Sequence, residues 1–229
     1  MLPTRAIHFF AVTTAAGTST LAYLTVRVPH VPVPDGTLLK DLPHADCFTL
    51  RVAVPTRALQ SRSFLDTYVR AFEHAPVFQL EHFLLAAAGR HAPAGTVKNA
   101  PVGKVYAPGT RMGALWTTTA RKEPNNEVLL KWRDPGSPAN GASWFRYVVD
   151  DEQPPAKVVG GVPVPLPTTN VTLQFGSAID VASFPKWAAS GVVMTLHYTY
   201  SRVLLVNAAV QLWWDTKHLL TTPPAAGGK

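Results

Sequence analysis

Between Phe184 and Trp214 the chain meets one proline, Pro185, although it carries 21 prolines in 229 residues. A proline at the start of such a stretch is compatible with a helix beginning there. Val192, Val193, Leu196, Tyr200, Val203, Leu204, Val206, Val210 and Trp213 give the stretch a broad apolar side. The pattern predicts one long C-terminal helix from about Phe184 to Trp214. His197, Arg202, Asn207 and Gln211 would be costly in lipid. The helix is therefore read as packing on a protein core.

The chain before it supplies the rest of that core. Asp46 to Val54 alternates with a period of two, with Phe48, Leu50, Val52 and Val54 facing one way and Cys47, Thr49 and Arg51 the other. That is the pattern of a half-buried strand. Phe64, Leu65, Tyr68, Val69 and Phe72 recur at helical spacing over Ser63 to His74. Pro76 interrupts, and Val77 to Ala88 resumes the pattern as a second helix that Gly89 stops. Residues 90–110 are rich in Gly, Pro, Ala and Lys and are read as a loop. Ala114 to Lys122 and Glu127 to Arg133 flank Pro124, Asn125 and Asn126, which suits a hairpin turn. Further strands are predicted over Ser143 to Val149 and Asn170 to Ser177, separated by a loop or ragged edge strand over Asp150 to Pro167.

The N-terminus has a different composition. Residues Ile7 to Val26 contain no Lys, Arg, Asp or Glu, and the first acid is Asp35. Such a run is long enough to cross a bilayer as a helix. Arg5, Arg27 and the many hydroxyls also suit a mitochondrial leader. A secretory signal and an ordinary structured leader are the other readings. The alternating prolines of Val28 to Pro34 favour an extended spacer. The expected organisation is an N-terminal targeting or membrane-anchor segment with a linker over 1–34, a domain over 35–216 and a loose tail over 217–229. The expected location is membrane-associated, at the mitochondrial inner membrane.

A strand, two short helices, several antiparallel strands and a long last helix form an order that resembles the START-like, helix-grip proteins. The segments carrying the resemblance are "ADCFTLRV", "FLDTYVRAFEHAPVFQLEHFLL", "NEVLLKW" and "LQFGSAI". The resemblance spans roughly Asp46 to Trp214. It implies an α+β fold in which a curved antiparallel sheet wraps the C-terminal helix and leaves a cavity. The family includes lipid carriers, coenzyme Q-binding proteins and polyketide cyclases. Together with the apolar N-terminal segment, it implies a membrane-associated module that binds an apolar small molecule or lipid without catalysis. An accessory subunit of a membrane protein complex, plausibly mitochondrial, and a cyclase- or isomerase-type enzyme are the alternatives, and fold alone does not choose among them.

Chemistry-bearing motifs are sparse. The net charge is +7, but Lys and Arg are scattered, and no nucleic-acid partner is expected. A single cysteine, Cys47, excludes an internal disulfide. His74 and His82 are eight apart, whereas helical metal pairs need three or four. No metal and no cofactor are expected. Phe175-Gly176-Ser177-Ala178 lacks the second glycine of a nucleophile elbow, and Gly176 is read as permitting a bend at a strand end. Catalytic roles are therefore assigned to none, with Glu81 and His197 kept as the only acid–base candidates. The candidate ligand-binding residues are the strand aromatics Trp116, Trp132 and Trp144, with Arg146, and His197, Tyr200 and Arg202 on the last helix. A buried Arg or His needs a partner, for which Glu81 and Glu127 are the expected carboxylates.

Overall fold

The computed structural model describes residues 26–60, 64–87, 106–112, 116–123, 126–133, 140–151, 157–159, 162–164, 168–180 and 191–220. The apolar run before residue 26, the start of the last helix before Gly191 and the tail after Leu220 lie outside them.

Strand β1 (Ala45–Pro55) is followed by helices α1 (Thr56–Gln60), α2 (Phe64–His74) and α3 (Pro76–Ala87). Strands β2 (Arg111–Met112), β3 (Trp116–Lys122), β4 (Glu127–Arg133) and β5 (Asn140–Val149) come next. A two-stranded ribbon of β6 (Lys157–Val159) and β7 (Val162–Val164) precedes β8 (Thr168–Ile179). Helix α4 (Gly191–Thr216) and a 3-10 turn (Lys217–Leu220) end the described chain.

The main sheet has the order β1-β8-β5-β4-β3-β2, and every pairing is antiparallel. The first and last long strands lie side by side, which brings β1 next to β8 across more than a hundred residues of sequence. α2 packs on α4, and α4 crosses β1 and β8. This is the α+β helix-grip architecture, a curved antiparallel sheet around a long C-terminal helix.

The period of two sorts the side chains. Phe48, Leu50, Val52 and Val54 of β1 share the inner face with Val171, Leu173 and Phe175 of β8, Phe145 and Tyr147 of β5, and Val128 and Leu130 of β4. Aromatic rings knit this face to the helices. Phe72 of α2 meets Phe145, Phe175 and Phe78 at centroid distances of 4.8, 5.0 and 5.1 Å. The Tyr68 hydroxyl is fully buried and donates to the Gln174 carbonyl at 3.1 Å.

One irregularity in the sheet has a chemical result. The register of β3 on β4 shifts between Thr118 and Ala120. The extra residue turns Arg121 inward, opposite Val128, where a strand without the bulge would point it out. There it forms an ion pair with Asp66 of α2, and both side chains are buried.

The outer face is not left to water. Residues 31–42 fold back over it, while Val28 is buried in the main core and His30 packs against Phe48 and Tyr198 on the inner side. Val31 N–H donates to the Cys47 carbonyl at 2.9 Å, Thr49 N–H to the Pro29 carbonyl at 3.2 Å, and His30 bridges Phe48. The start of the proline-rich stretch read as a spacer thus pairs with β1. Beyond it Leu39 packs with Cys47, Leu129, Ala142, Trp144 and Ala178 in a second apolar cluster. Gly176 lies inside β8 rather than at a strand end. A Cβ there would stand 2.2 Å from Leu39 Cδ2 and 2.7 Å from the Asp46 carbonyl oxygen, so glycine is what admits Leu39. Glu127, fully buried, receives Leu38 N–H at 3.0 Å and Trp144 Nε1–H at 2.7 Å on the same oxygen, Oε2.

Burial in this cluster pushes the Cys47 thiol up to about 12, with nearby Asp46 adding to the effect and Arg146 opposing it. The thiolate is the reactive form. Cys47 is therefore expected to resist a thiol-labelling reagent at neutral pH until denaturant is added. Stoichiometric labelling of the native protein would contradict this account of the outer face.

Other departures from the sequence reading have local causes. Pro76 does separate two helices, but it occupies the first turn of α3, where a missing N–H costs nothing. The Asp150–Pro167 region contains the short β6–β7 ribbon. Asn126 takes φ 49° in the β3–β4 turn, a conformation asparagine tolerates. Ser63, at which the predicted helix begins, lies outside the described residues. Among the described residues no helix is long and apolar enough to cross a membrane.

Candidate functional site

The inner face has two distinct ends. Toward the C-terminus of α4 its core side is closed, with Ser201, Leu204, Leu205, Ala208, Leu212 and Thr216 buried. Helical spacing carries the same side back through Tyr200, His197, Leu196 and Val193. None of residues 191–200 is fully buried. Helix α3 changes in the same way. Phe78 is buried, whereas Leu80, Phe83 and Leu84 are exposed and Glu81 and His82 are half-buried.

These half-closed turns are tied to one another and to the sheet by polar groups. Tyr200 on α4 donates its hydroxyl to Glu81 Oε2 on α3. Burial raises the Glu81 carboxyl above the ordinary glutamate value, and the Tyr200 hydrogen bond offsets this only in part. Tyr200 itself is pushed well up, by burial first and then by the neighbouring Glu81. The pair therefore keeps its protons to higher pH than the same groups on a surface.

His197, one turn earlier, reaches the end of the sheet. Its Nε2 lies 2.7 Å from Asp46 Oδ2 on β1 and 2.9 Å from Ser177 Oγ on β8. Asp46 Oδ1 accepts Ser177 N–H and the Ser177 hydroxyl, each at 3.0 Å. Asp, Ser and His meet here, but not as a nucleophilic relay. In a relay the carboxylate and the hydroxyl meet opposite ring nitrogens, so that one nitrogen takes the serine proton while the other is held. Here both converge on Nε2, and Ser177 has Asp46 as its acceptor. The arrangement fastens α4 to β1 and β8.

On the sheet side of this end, the inner row contains Trp132, which packs at the margin of the main core. It lies opposite Gly141, whose missing Cβ would stand 2.5 Å from the Trp132 ring. Trp116 pairs with Trp132 across β3 and β4 and stacks on His82 of α3 at 5.0 Å with an interplanar angle of 17°. Trp116, Trp132, His197 and Tyr200 thus fall on one face, together with Glu81.

The other three predicted binding residues are elsewhere. Trp144 and Arg146 alternate with Phe145 and stand on the outer face. Trp144 is covered by Leu39 and bonded to Glu127. Arg146 lies opposite Gln174 in the register, and its Nε is buried without a hydrogen-bond partner among the described residues. Arg202 is on α4, but Nε donates to the Val28 carbonyl at 3.0 Å and the guanidinium lies 5.2 Å from the Phe48 ring centroid. It secures residue 28 rather than facing the open end. Burial lowers its pKa from the ordinary arginine value.

Sequence reasoning missed Asp46 and Ser177. It proposed Glu81 or Glu127 for the buried His or Arg, whereas Asp46 holds His197, Glu81 holds Tyr200 and Glu127 serves the outer face. The signal for Asp46 was its parity with Phe48, which puts an acid on the core side of β1. A further buried acid, Glu73 of α2, accepts the Tyr106 hydroxyl at 3.1 Å, and burial raises its pKa. Among the described residues no group of three or more His, Cys, Asp or Glu side chains is placed to hold a metal ion.

A pH dependence follows from Glu73 and Glu81. Both have folded-state pKa values above the ordinary 4.5. The folded state then binds protons more tightly than the unfolded chain, so this contribution to stability is complete below about 4.5 and is lost as pH rises through the raised values. A Glu73→Gln, Glu81→Gln double variant keeps the neutral form at every pH. Its thermal midpoint relative to wild type is expected to climb as pH rises above about 4.5. A difference that stays constant with pH would contradict the raised values.

No family model matches the chain, and no curated protein matches it. Among solved structures, the chain is similar to CalU16 from Micromonospora echinospora, with 8% identity and a TM-score of 0.25, covering 85% of this chain and 96% of that one. It is also similar to Ara h 8.0201, with 10% identity and a TM-score of 0.22, covering 74% of this chain and 99% of that one.

Proposed function

We propose that this protein is a non-catalytic binding module that takes an apolar small molecule or lipid at the open end of its helix-grip core. One observation carries the reading. The core side of α4 continues with apolar and aromatic residues past Leu204 to Tyr200, Leu196 and Val193, yet burial stops at Ser201. An apolar guest would complete the surface that the protein leaves half-covered, at roughly 25 cal/mol per Å² removed from water. Half-buried Trp132 would offer aromatic surface from the sheet, with buried Trp116 packed beside it. The Glu81–Tyr200 pair and His197 would be the few polar groups that orient the guest. Both are already satisfied by protein partners, which suits binding better than turnover.

The test is native mass spectrometry of the full chain, extracted in mild detergent, followed by titration with the apolar dye 1-anilinonaphthalene-8-sulfonate. A stoichiometric apolar adduct and saturable dye binding are expected, with dye affinity falling at least about tenfold in Leu196→Glu. A ligand-free chain whose dye response is unaltered by that substitution would overturn the reading.

A further inference from the structure

The far end of α4 presents a second apolar stripe, on the side away from the core. Val210, Trp213 and Trp214 are 53%, 43% and 58% exposed. With Lys217 in the turn that follows, they fall at i, i+3, i+4 and i+7, which places them in one row. The opposite side of the same turns is already occupied, with Ala208, Leu212 and Thr216 buried in the domain. The row therefore adds nothing to the fold, and large exposed apolar groups in a contiguous row mark an interaction surface.

The chemistry of the row selects its partner. Two indoles combine apolar bodies with a polar N–H edge, the character that places Trp at the boundary between lipid and water. The Lys217 ammonium lies 3.3 Å from the centroid of the Trp214 ring, and His218 beside it is exposed. The acid in this stretch, Asp215, is engaged by Gln211 Nε2 at 2.8 Å. The whole chain carries a net charge of +7. A second copy docked two-fold through the same row would set Lys217 against the Val210 end of its image, and the row contains no acid to pair with it. A negatively charged surface supplies that counter-charge.

We propose that the Val210–Trp213–Trp214–Lys217 face of α4 docks the domain on an anionic lipid bilayer. The helix lies along the surface, with the indoles at headgroup level and Lys217 toward the phosphates, and α4 itself does not cross. At 1.5 Å per residue, the row lies about 24 Å along the helix from His197, so the surface is separate from the open end of the core.

The test uses the full chain with phosphatidylcholine vesicles and with mixed phosphatidylcholine–phosphatidylserine vesicles. Binding to the anionic vesicles is expected to exceed binding to the neutral ones and to weaken with salt. The Trp213→Ser, Trp214→Ser double variant should lose at least about tenfold in partitioning. Lys217→Glu should lose the preference for phosphatidylserine while keeping the indoles. Brominated lipid should quench the fluorescence component that the double variant lacks. Circular dichroism and the denaturation midpoint of each variant serve as fold controls. Unchanged vesicle binding by the double variant, or failure of brominated lipid to quench that component, would overturn the proposal. So would a concentration-dependent dimer in sedimentation that the double variant abolishes, since the face would then belong to a second copy.

Discussion

Glu127→Ala is expected to cost on the order of 3 kcal/mol of folding stability, because it strands two donors at once. The side chain is fully buried at the start of β4, on the outer face of the sheet. Its Oε2 accepts both Leu38 N–H and the Trp144 indole N–H. Hydrogen bonds to a charged group contribute about 1.5–3 kcal/mol each, and an unsatisfied buried donor costs a similar amount. The loss is large against the roughly 5–15 kcal/mol that separates folded from unfolded domains. Glu127→Gln keeps a carbonyl acceptor in place and should cost clearly less. Urea denaturation followed by tryptophan emission measures both. A second readout isolates the cause. Leu38 precedes Leu39, which fills the space over Gly176, so loss of the anchor should free residues 34–42 and speed tryptic cleavage after the exposed Lys40. An Ala variant within about 0.5 kcal/mol of wild type, the range of an ordinary surface change, with unaltered cleavage at Lys40, would sink this account.

The elements were legible where one periodicity ruled a whole segment. β4 occupies Glu127–Arg133, the span its alternation predicts, and α2 follows the three-and-four spacing of its aromatics. The pattern failed where two faces were both covered. In β1, Asp46, Cys47 and Phe48 are consecutive and all buried. Alternation can show that Cys47 and Phe48 point opposite ways. It cannot show that residues 31–42 will fold over the side where Cys47 lies. The same blindness misplaced Trp144. In SWFRYVV an indole and a phenyl are neighbours, so one of them must face out, and nothing local says that the outward one is covered by Leu39. The bulge at Thr119 was equally hidden, because an extra residue leaves the hydrophobic count of a strand unchanged while reversing every later side chain.

The site was legible in its residue types and not in its pairings. His197, Tyr200 and Arg202 stood out because polar groups on a core helix require partners. All three have them, but each partner comes from a different element: Asp46 and Ser177 on β1 and β8, Glu81 on α3, and the Val28 carbonyl together with the Phe48 ring. Which partner takes which group depends on the turn of α4 that each strand end reaches, and that is a property of the assembled sheet. Arg202 shows the consequence. Its chemistry suited a ligand contact, and its place on α4 beside the Phe48 ring gave it to the Val28 carbonyl instead.

Asp46→Ala is expected to cost on the order of 3 kcal/mol, and to weaken the binding of an apolar guest as well. The carboxylate joins three groups on two elements: Ser177 N–H, the Ser177 hydroxyl and His197 Nε2. Removing the shared acceptor is severe, because the buried donors left behind have given up water and gained nothing. The damage should be uneven. Leu204, Leu205, Ala208 and Leu212 still hold the second half of α4 to the core, so the half fastened through His197 should loosen first. Hydrogen exchange is expected to rise over residues 191–200 more than over 204–216, since local opening follows local burial. Asp46→Asn keeps an acceptor for Ser177 but presents an amide where the ring nitrogen stood opposite a carboxylate, so it should fall between Ala and wild type. His197→Ala tests the same fastening from the other side. If His197 acts through Asp46, the double variant should lose clearly less than the sum of the single losses. Strict additivity, together with uniform hydrogen exchange along α4, would mean that the two groups are neighbours without a shared task. The first half of the helix would then owe its place to Tyr200 and Glu81 alone.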